Sequence, residues 1–252
     1  MPRFFVSHDA VCEADGKILI DGENAHHISR SLRMAVGDKI TLCDPGVCEY
    51  DCVLDAFTDN TVSARIMEKK PLTTEPPFRV CIYQALPKGD KLDTIIQKSV
   101  ECGASAIRTF ESEFCIAKEK PDAEQRKLER RRKIAVEAAK QSGRGMIPEV
   151  LPTVSFKEAI ELASKADIPI FCYEGEGTES LKHNLQNIKE KLSADVCPEI
   201  AVVIGSEGGF SESEAAYAAE HNMFMTGLGS RILRAETVAG FVLGCLVYQF
   251  EM

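Results

Sequence analysis

The sequence predicts a chain of the α/β class, with a small all-β domain followed by a larger domain built on a parallel sheet. Short runs in which apolar and polar residues partly alternate fill roughly the first 70 residues. Strand and helix patterns then alternate over about 175 residues, which is typical of a parallel sheet with helices on both faces. At 252 residues and 44% hydrophobic composition, the chain can form a core in each domain.

Five short strands are predicted in the first domain, and turn signals such as Asp15-Gly16 and Asp59-Asn60 separate them. The strands are residues 4–6, 17–20, 39–43, 50–54 and 61–66. One short helix interrupts them at residues 26–32, with Asp21 or Asn24 as its cap. Strands at this spacing favour a small barrel.

A proline-rich segment, residues 69–77, follows the last of these strands. Its three prolines are incompatible with a helix or a central strand. We therefore place the domain boundary here, with one domain at residues 1–72 and the other at 73–252.

The second domain alternates the two element types. Strands are predicted at residues 78–85, 106–110, 168–173, 200–205 and 224–228, and helices at 91–101, 123–142, 156–165, 178–192, 211–222 and 235–250. The run 200–205 is wholly apolar, as expected of a buried parallel strand. Ser211 and Glu214 form a capping-box pattern at the start of their helix.

Composition excludes several classes of protein. The apolar runs fall short of the roughly 20 residues that a membrane span needs, and the first residues lack a signal-peptide core, so we expect a cytoplasmic chain without membrane contact. The ten cysteines are scattered, with no CxxC pattern and no Cys/His cluster. Reduced cysteines used as small apolar residues are expected, and no zinc or other metal site.

The net charge of −9 argues against a nucleic-acid partner, but the charge is unevenly distributed. Residues 1–75 carry a balance of −5, residues 76–150 a balance of +4, and residues 151–252 a balance of −8. The basic residues concentrate between Arg126 and Arg144. They form either a solvated helix face or a patch that meets phosphates, and net charge alone does not distinguish these interpretations.

Three glycine-rich loops follow predicted strands, at residues 173–177, 204–210 and 228–234. Ligands of open parallel sheets bind at the carboxyl ends of strands, and glycine lets the backbone approach a ligand closely. None of the loops matches the P-loop or the dinucleotide GxGxxG pattern, so an ATPase or an NAD dehydrogenase has little support. A serine triad at Ser206 is disfavoured, because it would need His183 or His221 from predicted surface helices.

Arg231 and Arg234 flank the apolar pair Ile232-Leu233, which we expect to be buried, just before the last predicted helix. They either pair with Glu236 or Glu207, or hold a polyanion or a substrate oxygen.

These segments carry a family resemblance over essentially the whole chain. The motifs are residues 27–38 (His27, Leu32, Arg33, Gly37 and Asp38), 85–91, 137–144, 204–210 and 228–237. In this order they resemble the RsmE-type 16S ribosomal RNA (uracil-N3)-methyltransferases of the SPOUT class. Two departures are Ser206, where the family usually has proline, and Val238, where it often has alanine.

The resemblance implies a PUA-like β-barrel for the first domain and a SPOUT α/β trefoil-knot domain for the second. It implies a homodimer packed through the last helix, which is apolar nearly all round. It also implies that S-adenosylmethionine is held mainly by main-chain atoms of the three loops. The cofactor-binding residues would be Tyr173, Glu174, Gly175, Ile204, Gly205, Ser206, Glu207, Gly208, Gly209, Leu228, Gly229, Arg231, Ile232, Leu233 and Ala235.

The implied reaction is methylation of uridine N3 in 16S RNA of the small ribosomal subunit. The catalytic residues would be Arg144, Arg231, Arg234 and Glu236, with arginines stabilising the developing uracil anion. The proton acceptor stays open between Glu236, Glu207 and solvent. Residues contacting RNA would be Arg3, Arg30, Arg33, Lys88, Lys91 and Arg144, with the 130–133 patch. The alternatives are a non-catalytic RNA-binding dimeric module and a methyltransferase of another RNA site.

Overall fold

The computed structural model describes residues 1–118, 121–191 and 197–252, and only the backbone for residues 121–123 and 190–191. The chain divides into two compact units. The first unit is Met1–Glu75 with Ala139–Ile147, and the second is Pro76–Ala138 with Pro148–Met252. The division falls three residues after the predicted boundary, and no sequence pattern indicated that residues 139–147 pack with the first unit.

The first unit contains one six-stranded sheet. Its strands are β1 (Arg3–Phe5), β2 (Val11–Cys12), β3 (Lys17–Ile20), β4 (Lys39–Asp44), β5 (Cys48–Phe57) and β6 (Val62–Lys70), in the order β1-β4-β5-β6-β3-β2. Strand β1 pairs parallel with β4, and the other pairs are antiparallel. The five predicted strands are present, and the two-residue β2 is additional.

Buried residues alternate with more exposed ones along the strands, and the buried ones form the core of the first unit. Residues Cys48, Tyr50, Cys52 and Leu54 of β5 are buried in one hydrophobic cluster with Ile18, Ile20, Ile40 and Leu42. Two bulges between β5 and β6 bend this long pair of strands. Helix α1 (Gly22–His26) runs into a π-helical turn at His27–Ser31, so the helix begins four residues before its predicted start.

The second unit is a seven-stranded parallel sheet with helices, which confirms the predicted α/β class. The strands are β7 (Arg79–Ala85), β8 (Ala106–Glu111), β9 (Glu149–Ser155), β10 (Ile168–Cys172), β11 (Glu179–Ser180), β12 (Glu199–Ile204) and β13 (Phe224–Gly227), in the order β11-β13-β10-β12-β7-β8-β9. The helices are α2 (Lys91–Glu101), α3 (Pro121–Gln141), α4 (Phe156–Ala163), α5 (Leu181–Lys191), α6 (Glu212–Glu220) and α7 (Ala235–Phe250).

Sequence pattern accounts for most of these elements. Strand β12 is buried along its length except at Glu199, and it pairs with β10 and β7. Helices α2 and α7 match their predicted bounds and pack against each other. The capping box at α6 is confirmed, because the Ser211 hydroxyl accepts from the Glu214 N–H and the Glu214 side chain accepts from the Ser211 N–H.

Two strands of the second unit escaped prediction. Strand β9 contains Pro152, but it lies at the edge of the sheet, where the missing donor is tolerated, and its register with β8 shifts nearby. Strand β11 occupies the start of the predicted helix 178–192, so α5 begins only at Leu181. The predicted end of that helix at Leu192 lies outside the described residues.

Within the described ranges, each helix is too short or too polar to cross a membrane. All ten cysteines lie in those ranges and are free thiols. Two of them are exposed and four are intermediate in burial. The four buried cysteines pack as apolar residues.

Candidate functional site

The strand order brings the three glycine-rich loops to one edge of the sheet. Strands β13, β10 and β12 are neighbours and parallel, so their carboxyl ends, where these loops begin, lie side by side. The Tyr173 N–H donates to the Thr226 carbonyl at 3.0 Å, which joins the loop after β10 to the end of β13. The rings of Phe171 and Phe210 lie 4.3 Å apart, which joins β10 to the loop after β12.

The loop after β12 has room only for glycine at a central position. A Cβ at Gly208 would lie 2.8 Å from the Cβ of Phe114, in the loop after β8. The next residue, Gly209, has φ +67°, and its N–H closes a turn onto the Ser206 carbonyl at 3.0 Å. The backbone of this loop is therefore compact and closely covered on one side.

A charged cluster joins this loop to the starts of α2 and α7. The Lys91 Nζ donates to Glu207 Oε1 at 2.7 Å and lies 3.7 Å from Glu236 Oε2. The backbone N–H of Lys88 also donates to Glu207, at 3.2 Å. Arg234 Nη1 lies 4.0 Å from Glu236 Oε1. Five of the predicted site residues thus form one network: Lys88, Lys91, Glu207, Arg234 and Glu236.

The two carboxylates of the cluster differ in their environment. Burial acts to raise the pKa of the Glu207 carboxyl, but hydrogen bonds from Lys91, from its own backbone and from Lys88 lower it below its usual value. The hydrogen bond to Glu207 correspondingly raises the pKa of Lys91. Glu236 Oε2 is buried and has no hydrogen-bond partner among the residues that the structure describes. Glu207 is therefore hydrogen-bonded to the start of α2, whereas Glu236 Oε2 has the longer 3.7 Å ion-pair contact with Lys91 and accepts no hydrogen bond from the described residues.

Two further buried polar atoms lack partners at the same loop, again counting only described residues. They are Ser206 Oγ and Gln84 Oε1, the latter from the end of β7. Buried polar groups in native structures are normally hydrogen-bonded, and exceptions cluster at functional sites.

The loop before α7 presents its side chains to solvent. Arg231 is exposed, and the Arg234 side chain is 85% exposed. Ile232, which looked buried in the sequence, is 84% exposed, so that interpretation was wrong. Arg234 reaches Glu236 only at the 4.0 Å limit of an ion pair, and the exposure of both arginines leaves their guanidinium groups accessible to a ligand.

Two arginines predicted at the site have structural partners in the first unit. Arg144 is only 4% exposed, and its Nη2 donates to Glu75 Oε2 at 2.6 Å while its Nε donates to both Glu75 oxygens at 3.0 Å. Arg3 pairs with Glu49 and donates to the Arg144 carbonyl. Both guanidinium groups are thus engaged within the first unit, and the catalytic and RNA-binding roles of Arg144 and the RNA-binding role of Arg3 stay predictions.

Other predicted RNA-binding residues are open to solvent. Arg30 and Arg33 are exposed in the first unit, and Arg33 has φ +51°, a backbone conformation that non-glycine residues rarely adopt. In the basic segment of α3, Arg131 is buried, Arg130 pairs with Asp93, and the Arg132 Nε donates to the Val150 carbonyl. Part of that segment therefore makes structural contacts. Neither the interpretation as a solvated helix face nor the interpretation as a phosphate-binding patch holds for every residue.

A cavity of about 440 Å³ lies elsewhere in the second unit. It is bordered by the starts of β10 and β13 and by α5, through residues such as Ile168, Phe224 and Asn184. Gly177 is its one lining residue from the three loops. The cavity is therefore distinct from the charged cluster.

Comparison with known proteins now identifies the family. A sequence profile described as the RNA methyltransferase domain matches residues 74–247, and one described as the RNA methyltransferase PUA domain matches residues 20–67. The chain belongs to the RNA methyltransferase family. The resemblance inferred from the sequence motifs is thereby confirmed, as is the PUA-like nature of the first domain.

Similar members of this family cover nearly the whole chain. Ribosomal RNA small subunit methyltransferase E of Bacillus subtilis is 35% identical over 92% of this chain and 90% of its own length. The protein of that name from Synechocystis is 28% identical over 93% of this chain and 73% of its own. The crystal structure of the Neisseria gonorrhoeae protein of that name, bound to S-adenosyl methionine, has a TM-score of 0.81 and 25% identity, covering 99% and 98% of the two chains.

Sequence reasoning missed three residues that shape this methyltransferase site. Gln84 and Phe114 contact the loop after β12, and Glu214 accepts from the Glu113 N–H at 2.8 Å, which ties the loop after β8 to α6. One signal was available for Gln84, because it is the single amide in an otherwise largely apolar strand. The other two depend on contacts distant in sequence, which no local pattern reveals.

We expect Glu75→Ala to destabilise the protein by about 3 kcal/mol, because it leaves the buried Arg144 guanidinium without its carboxylate. Glu75 also accepts from the Gly145 N–H at 2.8 Å. Glu68→Ala is the control: Glu68 is exposed and pairs with Lys70 at 3.4 Å, so we expect a loss below about 1 kcal/mol. Urea unfolding followed by circular dichroism measures both. Equal losses would contradict the structural role of Arg144 and restore it as a candidate ligand-binding residue.

Proposed function

We propose that the chain transfers the methyl group of S-adenosylmethionine to N3 of a uridine in 16S ribosomal RNA. The observation that carries this proposal is the meeting of three glycine-rich loops at one sheet edge, beside a cluster of Lys91, Glu207 and Glu236. Family membership supports an RNA substrate, and the similar Neisseria gonorrhoeae protein crystallised with S-adenosyl methionine supports the cofactor.

The residues present fit this cofactor. A ligand with adenine, ribose and amino-acid groups needs many donors and acceptors at close range, and exposed main chain at glycines supplies them. The buried Ser206 Oγ and Gln84 Oε1 offer further polar atoms without partners among the described residues. The holding residues are those predicted from the three loops, 173–175, 204–209, 228–229, 231–233 and 235. When bound, S-adenosylmethionine supplies a methyl group activated by its sulfonium.

Residues of the chain must make N3 of the uridine ready to accept the methyl group. N3 of uridine carries a proton and takes part in base pairing, so the uridine must be unpaired and lose that proton as the new N–C bond forms. Exposed Arg231 and Arg234 stabilise the negative charge that develops on the uracil oxygens. Glu236 accepts the proton in preference to Glu207, because its buried Oε2 lies 3.7 Å from Lys91 without receiving a hydrogen bond from a described residue. The oxygens of Glu207 already receive hydrogen bonds from Lys88 and Lys91.

Exposed arginine and lysine side chains bind the RNA phosphates. Arg30 and Arg33 provide them in the first unit and Lys88 in the second. Lys91 acts mainly within the cluster, where it holds Glu207 and Glu236. Arg3 and Arg144 are not included, because their guanidinium groups are bound inside the first unit.

The second copy in a homodimer packs against one face of α7. The helix buries Val238, Val242 and Leu246 in its own unit but leaves Phe241 and Tyr248 exposed at 38% and 74%. Gly244 lies between them on the same exposed face, with open space around it. An exposed aromatic stripe of this kind is typical of an interface.

A ribosomal RNA substrate also locates the reaction in the cytoplasm. The trefoil knot implied by the resemblance stays a prediction of the same proposal.

The methylated nucleotide in 16S RNA tests the proposed substrate. We expect deletion of the gene to remove one N3-methylated uridine from 16S RNA, because the proposed function of the chain is to catalyse that methylation. Mass spectrometry of nuclease-digested 16S RNA measures it, and re-expression of the chain is the control. Unchanged methylation would reject the 16S substrate and favour another RNA site.

We expect Arg231→Ala to lower turnover by about 10²–10³-fold, because it removes a cation that acts on charge developed in the transition state. Affinity for S-adenosylmethionine, measured by calorimetry, should change little, because the proposed contact of residue 231 with the cofactor is through main-chain atoms, which the substitution keeps. Arg79→Ala is the matched control, since Arg79 is an exposed arginine at the amino end of β7. Full turnover in the Arg231 variant would remove this residue from the catalytic set.

We expect Phe241→Glu to convert the dimer to a monomer, because it places a charge in the apolar centre of the proposed interface. Sedimentation velocity measures the change. Met67→Glu, at an exposed apolar residue of the first unit, should leave the dimer intact. A wild-type chain that sediments as a monomer would reject the interface outright.

A further inference from the structure

Gln84 occupies an unusual position for a polar side chain. It lies near the end of β7, inside the parallel sheet, with Ile204 of β12 on one side and Thr109 of β8 on the other. Its exposure is 0%. An amide in such a place is unfavourable unless its polar atoms are hydrogen-bonded.

The two donors of the Gln84 amide are both used. Nε2 donates to the Ala85 carbonyl at 3.0 Å and to the Gly205 carbonyl at 3.1 Å. These contacts also fix which way the amide faces, because the flipped orientation would place Oε1 against two carbonyl oxygens. Gln84 therefore links the end of β7 to the first glycine of the loop after β12.

The remaining atom of the amide has no such partner. Oε1 is buried without a hydrogen bond to any described residue, and the same holds for the Oγ of Ser206, the residue that follows Gly205. One of these atoms belongs to a side chain that is hydrogen-bonded to the Gly205 carbonyl, and the other belongs to the next residue along the chain. Two unsatisfied polar atoms at one peptide group indicate a place that a polar ligand completes.

The hydrogen bond from Gln84 to the Gly205 carbonyl determines the orientation of the Gly205–Ser206 peptide group. In a planar trans peptide, the carbonyl of one residue and the N–H of the next point in opposite directions. Because the Gly205 carbonyl faces Gln84, the Ser206 N–H must point away from it. Gln84 thus sets the plane of the Gly205–Ser206 peptide, which lies within the loop assigned to the cofactor.

We propose that Gln84 is a positioning residue for S-adenosylmethionine, acting through the Gly205–Ser206 peptide. The proposal rests on the proposed function, because it concerns the ligand of the same loop. A cofactor held mainly by main-chain atoms depends on correctly oriented peptides, and Gln84 supplies that orientation from the interior of the sheet. Gln84 itself takes no part in the methyl transfer.

The test uses the full-length chain and calorimetry with S-adenosylmethionine. We expect Gln84→Met, which keeps the length of the side chain and removes its donors, to bind about tenfold more weakly, as for the loss of one orienting hydrogen bond. Hydrogen exchange of the peptide covering residues 205–210 in the ligand-free protein should become faster. At saturating cofactor, kcat should stay near the wild-type value while KM for the cofactor rises.

Thr109→Val is the matched control. Thr109 is the buried cross-strand neighbour of Gln84, and its hydroxyl bonds Thr153 at 2.6 Å. The variant loses a buried side-chain hydrogen bond in the same sheet, so its melting temperature should fall, while cofactor affinity and exchange at residues 205–210 stay unchanged. Equal losses of affinity in the two variants would overturn the proposal, because general loosening of the sheet would then explain both.

Gln84→Glu provides a second test if the methionine variant folds poorly. A buried carboxylate facing two carbonyls is repelled, whereas its protonated form can donate one hydrogen bond. The affinity of this variant relative to wild type should therefore recover as the pH is lowered. A ratio independent of pH, or wild-type affinity in Gln84→Met, would overturn the positioning role. Failure of the wild-type chain to bind S-adenosylmethionine would instead overturn the proposed function itself, and the inference with it.

Discussion

The pairing of β12 with β10 on one side and β7 on the other is the constraint on which the second unit depends. The strand is almost entirely apolar and buried, so it can lie only in the interior of a sheet that is covered on both faces. Because its neighbours run parallel to it, the segments that follow all three strands emerge at a common edge. The glycine loops, the start of α2 and the Gln84 amide become neighbours through this arrangement.

Glu207 fixes the position of the loop after β12 at this edge of the sheet. Its carboxylate receives Lys91 Nζ and the Lys88 N–H, so the loop after β12 is attached to the first turn of α2. A negative charge there also interacts favourably with the amino end of the helix. The glycine loop, which would otherwise be flexible, is thereby restrained at Glu207 and, through its carbonyl, at Gly205.

Much of this could be predicted from the sequence, because the responsible patterns are local. Apolar periodicity located α2, long apolar runs located α7 and β12, and Ser211 with Glu214 located the start of α6. The glycine loops were found because they follow strands. Strand β9 was missed because Pro152 argues against a strand unless its edge position is known.

The side-chain partners of the arginines could not be predicted. Arg144 follows a basic segment, and nothing in that segment indicates that Glu75, 69 positions earlier, holds it in the first unit. The exposure of Ile232 could not be predicted either, since an apolar residue beside the start of a helix is normally buried. Burial and ion pairing between distant residues depend on the tertiary fold, and local pattern does not report them.

Helix α7 carries two kinds of residue on one rigid body. Glu236 lies in its first turn and Tyr248 near its last, twelve residues along, or about 18 Å of helix. One element therefore carries both the carboxylate of the proposed chemistry and the aromatic residues of the proposed interface. If binding of a ligand at Glu236 changes the affinity between two chains, association of the chains changes the affinity for that ligand by the same factor.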